Sequence, residues 1–362
     1  MNSVYTAVGS PNIAFIKYWG QRNEEQVLPN NSSISMTLRG VSEPLVTVTS
    51  VAFSSRLSED VFYVDGKLES DPKGAKRVAN ILREYAHTNE KLIMVSYNSF
   101  PAATGLASSA SGIATLVYAA SKALELNLNL KQLSMIARVG SGSACRGIYG
   151  GFVRWNKGEI EDGSDSFAEQ VFDENHWPEL NDLIVIVSAL PKKVSSSEGH
   201  KRTVETSSLY SARPEFAEQG IRTVEEALRQ RDIHSLTTAI MRDSDNMHAT
   251  AETSWPPIIY RNEDSRKIMD YIQEYNEIEG HSVVGYSFDA GPNAHLITTD
   301  TFKGAIISEL KEKGFKNIIE AKSGPGPKIL NADYDLIDES TLEPRVIDPN
   351  SYFADIQKRL WL

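Results

Sequence analysis

The chain has 362 residues, a net charge of −11 and a single cysteine, Cys145. That length exceeds one ordinary core and predicts two domains, the charge argues against general nucleic-acid binding, which leans on basic surface, and one cysteine excludes an internal disulfide framework and fits a reducing compartment. No apolar run approaches the roughly 20 residues needed to cross a bilayer, and MNSVYTAVGSPNIAF lacks the layout of a signal peptide, so a cytoplasmic protein with no membrane or nucleic-acid partner is expected.

In chain order, PLVTVTSVAF and DVFYVDGKL within residues 45–65 and just beyond read as antiparallel strands around turns such as Asp65-Gly66. Residues 73–87 read as an amphipathic helix with Val78, Ile81, Leu82 and Tyr85 on one side. LIMVSYNSF is a strand, 106–124 and 130–139 are helices, and GGFVRW is a short strand. LNDLIVIVSAL at 180–190 is an apolar strand that opens a second domain. Helices follow near 213–230, 233–243 and 264–278. SVVGYSFDAG is a strand ending in a turn, NAHLITT is its partner, and TFKGAIISELKEKG is a helix closed by Gly314. Strands and helices mix without strict βα alternation, which predicts an α+β fold.

PAATGLASSASG, between a strand and a helix, is rich in residues too small to pack. Such a loop suits phosphate, because amides at a helix start carry partial positive charge and serines add donors. Gly105, Ala107, Ser108 and Ser109 allow close backbone approach; a tightly packed helix start with no ligand is the alternative. The segment matches neither of the two common nucleotide signatures. A substrate that is a small anion needs only a local cationic pocket, whatever the net charge. No His-x-x-x-His or cysteine pair is present, so no tightly held transition metal is expected. His248 reads as structural, and Cys145 as a small packing residue.

PNIAFIKYWG at Pro11, LPNNSSIS at Leu28, GLASSASG at Gly105, GSGSACR at Gly140, MHAT at Met247 and DAGPNA at Asp289 stand in this order. Together they resemble the GHMP superfamily of small-molecule kinases, and within it the diphosphomevalonate decarboxylase family. The resemblance runs from about residue 4 to about residue 328, where SGPGP is similar to the family's late SGP turn. It implies a GHMP kinase-like two-domain fold, with a ribosomal S5 domain 2-like N-terminal domain at 1–180 carrying the phosphate loop and a ferredoxin-like C-terminal domain at 181–330. The extension 331–362 has no counterpart, and covering an edge, forming a dimer contact and packing near the nucleotide are all open to it.

The resemblance also implies the chemistry. In the family ATP phosphorylates a tertiary hydroxyl, the new phosphate leaves, and the carboxylate is lost as CO2. Asp289 matches the aspartate that orients the hydroxyl or accepts its proton. Lys17 matches a phosphate-contacting lysine. Asn12 and Tyr18 match residues that bond the reacting centre and the phosphate tail. Arg146 offers a fork suited to a carboxylate. Ser141 and Ser143 match phosphate-tail donors, and Ser195, Ser196, Gly199 and His200 lie in a cationic loop, with Lys192, Lys193, Lys201 and Arg202, that closes over the substrate. Gly105, Leu106, Ala107, Ser108 and Ser109 form the phosphate loop. ATP and Mg²⁺ are implied if the kinase half-reaction is retained, and no cofactor otherwise; a homodimer is common among relatives.

Two positions depart from the family. Gln21 stands where KYWGK has lysine, removing a cation near the phosphate tail, and His200 stands where methionine is common. Three substrates therefore stay open: the 5-diphosphate or the 5-phosphate of mevalonate, each with ATP, and the 3,5-bisphosphate without it. A kinase that stops at 3-phosphorylation and a non-catalytic binding protein are the readings from other classes.

Overall fold

Alternating apolar residues in the N-terminal strands build a sheet that is covered on both faces. The computed structural model describes residues 4–100, 108–188, 190 and 193–360. In chain order the elements are β1 (Tyr5–Gly9), β2 (Asn12–Ile16), β3 (Gln21–Asn23), β4 (Leu28–Pro29), β5 (Ser33–Gly40), β6 (Thr47–Ser54), β7 (Val61–Val64), β8 (Lys67–Leu68), α1 (Lys73–Ala86), β9 (Lys91–Asn98), α2 (Ser108–Ala123), α3 (Leu130–Gly140), β10 (Phe152–Trp155) and β11 (Ala168–Phe172). They continue with β12 (Leu180–Val185), α4 (Ser196–Thr206), α5 (Arg213–Gln230), α6 (Ile233–Glu252), α7 (Glu263–Glu279), β13 (Gly285–Phe288), β14 (Ala294–Thr299), α8 (Asp300–Glu312), β15 (Ile318–Ser323), β16 (Lys328–Ile329), β17 (Ile337–Asp338), β18 (Glu343–Pro344) and α9 (Pro349–Leu360).

The first sheet runs β16-β1-β6-β9-β7-β8. Odd and even positions face opposite ways, as the pleat requires. Ala7, Val51, Phe53, Leu92 and Met94 pack against α1, α2 and α3. Val8, Val48, Ala52, Ile93 and Val95 pack against Leu336, Ile337, Leu342, Phe353 and Ile356 of the C-terminal extension. The extension is thus the second cover of this sheet; Trp361 and Leu362 lie outside the described residues. On the helix side, Thr47 bonds Ser111 at 2.6 Å and Thr49 bonds Thr115 at 2.7 Å, pinning the start of α2 to β6.

The second sheet runs β11-β10-β5-β15-β12-β14-β13, with β2 also on β5. β5 is the hinge of its register. Its Ser33–Met36 stretch pairs with β10 and its Leu38–Gly40 stretch with β15. Helices α5 and α6 bury Leu180, Ile184 and Ile297 on one face; α7 and α8 bury Leu183, Val185 and Leu296 on the other. Because β2 lies on β5, Asn12 at its start and Lys17 just past its end are set beside strands from the far end of the chain.

Three expectations are corrected. The strands of 45–65 are not neighbours: β9 lies between β6 and β7 and pairs with β7 in parallel, so only β7–β8 closes on the Asp65-Gly66 turn. Tyr85 is half exposed while Ala75, Val78, Ala79 and Leu82 form the buried stripe of α1; an aromatic at helical spacing sits at the stripe's edge. The stretch around Ser195–Arg202 is not a loop but the start of α4, with Ser195 Oγ accepting the Glu198 N–H as its cap.

Ile356 is fully buried against the first sheet. Ile356→Ala is expected to cost about 2–5 kcal/mol, read as a lower urea midpoint; an unchanged midpoint would show that the extension docks without contributing to the core.

Candidate active site

The strand β2 delivers Lys17 into a buried position, 3% exposed. A buried ammonium needs an anion. Lys17 Nζ meets Asp289 Oδ1 at 2.5 Å. Asp289 follows β13 in the turn where Gly291 N–H bonds the Asp289 carbonyl. Burial alone would raise the Asp289 pKa. Lys17, His295 and Arg146, in that order of electrostatic weight, overcome this and hold it below the ordinary carboxylate range. Its charged form is present at neutral pH.

Arg146 sits in the 3₁₀ segment Gly142–Ile148 and is also 3% exposed. Its Nε donates to Ser35 Oγ at 2.9 Å, its Nη1 to Ser33 Oγ at 2.5 Å and its Nη2 to Asn12 Oδ1 at 3.4 Å. It makes no ion pair with a described residue. Burial lowers its pKa, opposed by Cys145, Asp289 and Tyr18. Asn12 Nδ2 is buried and, among the described residues, has no acceptor. Gly147 carries the segment against α2: an added Cβ would lie 2.9 Å from the Ala114 methyl and 4.0 Å from Asn12 Nδ2. The cation, the amide and the first turns of α2 therefore share one wall.

Tyr18 and Gln21 form the next part. Gln21 Nε2 donates to the Tyr18 hydroxyl. Burial pushes the Tyr18 pKa up, so the phenol keeps its proton. With its oxygen already accepting from Gln21, that proton is the group Tyr18 has to give. A Cβ on Gly142 would strike the Tyr18 ring at 2.7 Å, which places Ser141 and Ser143 on either side of that contact. Both serines are half-buried.

His200 lies between Tyr18 and Trp19, with ring centroids 4.4 Å from each. Its Nδ1 accepts the Gly20 N–H at 2.7 Å. Gly20 is required here: its φ is +93°, and a Cβ would sit 1.7 Å from the Tyr210 hydroxyl. That hydroxyl bonds the Trp19 carbonyl at 2.9 Å and receives Asn30 Nδ2 at 2.7 Å. The Tyr260 hydroxyl donates to the Ser195 carbonyl at 3.3 Å, so α4 is held at its N-cap and at His200. Its cations are not a bare patch: Lys201 pairs with Glu24 at 3.4 Å and Arg202 with Glu198 at 2.9 Å. Lys192 lies outside the described residues. Ser195 is exposed and Ser196 half-buried.

Of the phosphate loop, Gly105, Leu106 and Ala107 lie outside the described residues, as does the Ser108 side chain. Ser109 is exposed in the first turn of α2, which carries no acidic residue. His248 is buried with its Nε2 3.3 Å from the Phe288 carbonyl, and desolvation lowers its pKa to about 3, in keeping with a structural role. Cys145 is buried among Val153, Trp155 and Ala168. A separate cavity of about 350 Å³ in the C-terminal extension is lined by Tyr334, Tyr352, Asp355 and Arg359, and none of the candidate residues reaches it.

The sequence reading missed several partners. Ser33 and Ser35 stand in the quoted NSSIS stretch without an assigned role, and their alternation on β5 was the available signal. Arg213 and Asp243 had no signal beyond their type. They form an ion pair at 2.5 Å with both side chains at 0% exposure, and they bond the backbone of Lys17.

The α+β architecture with its two large sheets is a GHMP kinase-like fold. The chain matches the family model "Diphosphomevalonate decarboxylase-like N-terminal domain" over residues 9–168 and "Mevalonate 5-diphosphate decarboxylase C-terminal domain" over residues 182–317. It is 40% identical over 312 residues to the diphosphomevalonate decarboxylase of Saccharomyces cerevisiae, covering 81% of this chain and 78% of that one. It superposes at a TM-score of 0.83 and 37% identity on the mevalonate diphosphate decarboxylase from Enterococcus faecalis, covering 92% of this chain and 100% of that one. A further solved structure, of MDDEF in complex with MVAPP, AMPPCP and magnesium, superposes at 0.83 with 38% identity over 92% of this chain and 100% of that one. The chain belongs to the diphosphomevalonate decarboxylase family.

Gly20→Ala is expected to displace Tyr210, break its bonds to Trp19 and Asn30, and cost about 1–3 kcal/mol in chemical unfolding. Unchanged stability would show that the Lys17–Gly20 backbone is not held by Tyr210.

Proposed function

We propose that this chain is an ATP-dependent diphosphomevalonate decarboxylase: it phosphorylates the 3-hydroxyl of mevalonate 5-diphosphate and eliminates phosphate and CO2 to give isopentenyl diphosphate. The observation that carries this reading is Arg146, a buried guanidinium with no ion-pair partner among the described residues, beside the Lys17–Asp289 pair. A buried cation without an anion is a site for one. The fork suits the substrate carboxylate, and the unpartnered Asn12 amide offers a donor at the same wall.

Asp289, ionised and fixed by Lys17, orients the tertiary hydroxyl and takes its proton as the phosphoryl group arrives. Lys17 has further donors for an oxygen of that group. As the C3–O bond to the new phosphate breaks, the proton that Asp289 took passes to the departing phosphate, and Asp289, anionic again, stabilises positive charge at C3. The electrons of the C1–C2 bond then form the C2–C3 double bond, and CO2 departs. Arg146 holds the carboxylate until the leaving phosphate has gone. Tyr18, Ser141 and Ser143, with Ser195, Ser196 and His200 on α4, face the 5-diphosphate tail. Gln21 supplies only a neutral amide through Tyr18, where a lysine would add a charge.

ATP supplies the phosphoryl group, and Mg²⁺ arrives with it, since magnesium is usually bound largely through substrate phosphates. The start of α2, with Ser109 exposed and no acidic side chain in its first turn, fits an anion at a helix N-terminus; Gly105, Leu106, Ala107 and Ser108 complete that loop by resemblance.

CO2 release from the 5-diphosphate, 5-phosphate and 3,5-bisphosphate of mevalonate, each with and without Mg-ATP, tests the reading. ATP-dependent release, fastest from the 5-diphosphate, is the expected result. Release from the bisphosphate alone would mean that only the elimination half remains. Asp289→Asn is expected to lower kcat about 10²–10⁴-fold in a protein that still folds but is less stable, because the buried Lys17 loses its anion; near-normal turnover would remove the assigned role. Because the folded Asp289 pKa is depressed, wild-type activity should persist into mildly acidic solution and fall only as pH drops through that lowered value. An acid limb near neutrality would contradict an ionised, Lys17-paired Asp289. Arg146→Lys keeps the charge but loses the fork, and is expected to reduce kcat/KM at least about 10-fold; an intact value would make Arg146 structural.

A further inference from the structure

Lys17 is not held by its own strand. β2 ends at Ile16, and residues 17–20 have no regular structure. A buried, irregular peptide must find partners for its N–H and C=O elsewhere. The partners of the Lys17 peptide come from two distant helices. Asp243 Oδ2, in the middle of α6, accepts the Lys17 N–H at 2.7 Å. Arg213 Nη2, at the first residue of α5, donates to the Lys17 carbonyl at 2.9 Å. Arg213 and Asp243 also bond each other twice, Nη1 to Oδ1 at 2.5 Å and Nη2 to Oδ2 at 3.1 Å. Asn246 takes a further Arg213 bond at 3.1 Å, and Asn31 adds a second donor to the Lys17 carbonyl at 3.0 Å.

We infer that Arg213 and Asp243 are a positioning pair: they grip both ends of the Lys17 peptide and so fix where its ammonium stands against Asp289. The inference rests on the reading of Lys17 and Asp289 as groups of the reacting centre. Three features favour positioning over plain stabilisation. A buried ion pair is a poor way to gain stability, since apolar residues of similar volume commonly do as well or better. The pair's geometry is a closed ring through the Lys17 peptide, in which the planar fork of arginine bonds a carboxylate and a carbonyl at once, something lysine cannot reproduce. The fixed side chain is long and flexible, with its charge four carbons from the backbone, so its anchor decides which part of the cleft the ammonium sweeps.

A small error here is costly. A misplacement of about 1 Å can lower a rate about 100-fold while leaving binding contacts in place. Among the described residues the pair makes no hydrogen bond to the side chain of Arg146 or Tyr18, so substrate affinity should be largely spared. Moving Lys17 away from Asp289 also removes the nearest charge that keeps that carboxyl ionised, so the acid limb of the kcat profile should move to higher pH.

The test uses the full chain in three forms. Arg213→Met with Asp243→Leu removes both charges together and leaves no lone buried ion. Arg213→Lys keeps the ion pair but gives up the fork on the Lys17 carbonyl. Asp289→Asn is the control for the underlying reading. Each is measured for urea unfolding, for mevalonate 5-diphosphate affinity by calorimetry, and for kcat across pH. The positioning role predicts a folded double variant whose Kd stays within about threefold and whose kcat falls about 100-fold. Arg213→Lys should fall about tenfold in kcat, with its acid limb shifted upward. If the double variant does not fold, Arg213→Lys alone decides. A folded Arg213 variant with wild-type kcat and an unmoved acid limb would overturn the inference. If Asp289→Asn also kept full activity, the reading of the reacting centre would fail; if it lost activity while the Arg213 variants did not, only the positioning role would.

Discussion

Everything in the cleft depends on keeping a buried ammonium and a carboxylate together. Lys17 and Asp289 stand 272 residues apart in the chain, and their 2.5 Å contact depends on the strands that lead into them, β2 up to Ile16 and β13 up to Phe288. β2 lies on β5, β5 carries β10 on one stretch and β15 on the next, and β15 leads through β12 and β14 to β13 and Asp289. The second sheet therefore brings the two segments together, and the bonds of Asp243 and Arg213 to the Lys17 backbone complete the placement. Loss of register anywhere along it would flip side chains between faces and separate the pair.

Around this pair the protein keeps charge unbalanced on purpose. Arg146 is surrounded by hydroxyls and an amide rather than by a carboxylate. That arrangement satisfies the donors of the guanidinium but leaves its charge for a ligand. The same economy appears at Tyr18, whose oxygen accepts from Gln21 while burial keeps its proton in place. Serine, asparagine and tyrosine orient the cation and present donors without cancelling the field. A net charge of −11 is no obstacle, because the anion meets only this local arrangement.

Much of this was legible in the sequence, for particular reasons. The strands β6 and β9 and the helices α3, α5 and α8 carry clean periodicities and end on turn residues, so their bounds come within a few residues. Lys17, Arg146, Asn12 and Asp289 stand in short motifs whose order is specific. The pairing of β7 with β9 rather than β6 was not legible, because strand order depends on crossovers that leave no local mark. The helix α4 was hidden by its composition: Ser-Ser-Ser-Glu-Gly reads as a loop, yet Ser195 is a cap and Gly199 is small because a Cβ there would meet Tyr260 and Trp19. The C-terminal extension showed apolar residues but not the sheet face they cover. Arg213 and Asp243 were invisible because their partner is a backbone peptide, which no side-chain motif announces.

The most direct test of the account is a crystal structure of the protein with mevalonate 5-diphosphate bound. The account predicts the 3-hydroxyl within hydrogen-bond reach of Asp289, about 2.6–3.2 Å, with the substrate carboxylate on Arg146 and the diphosphate beside Tyr18 and Ser143. A carboxylate bound away from Arg146, or a hydroxyl out of reach of Asp289, would contradict it.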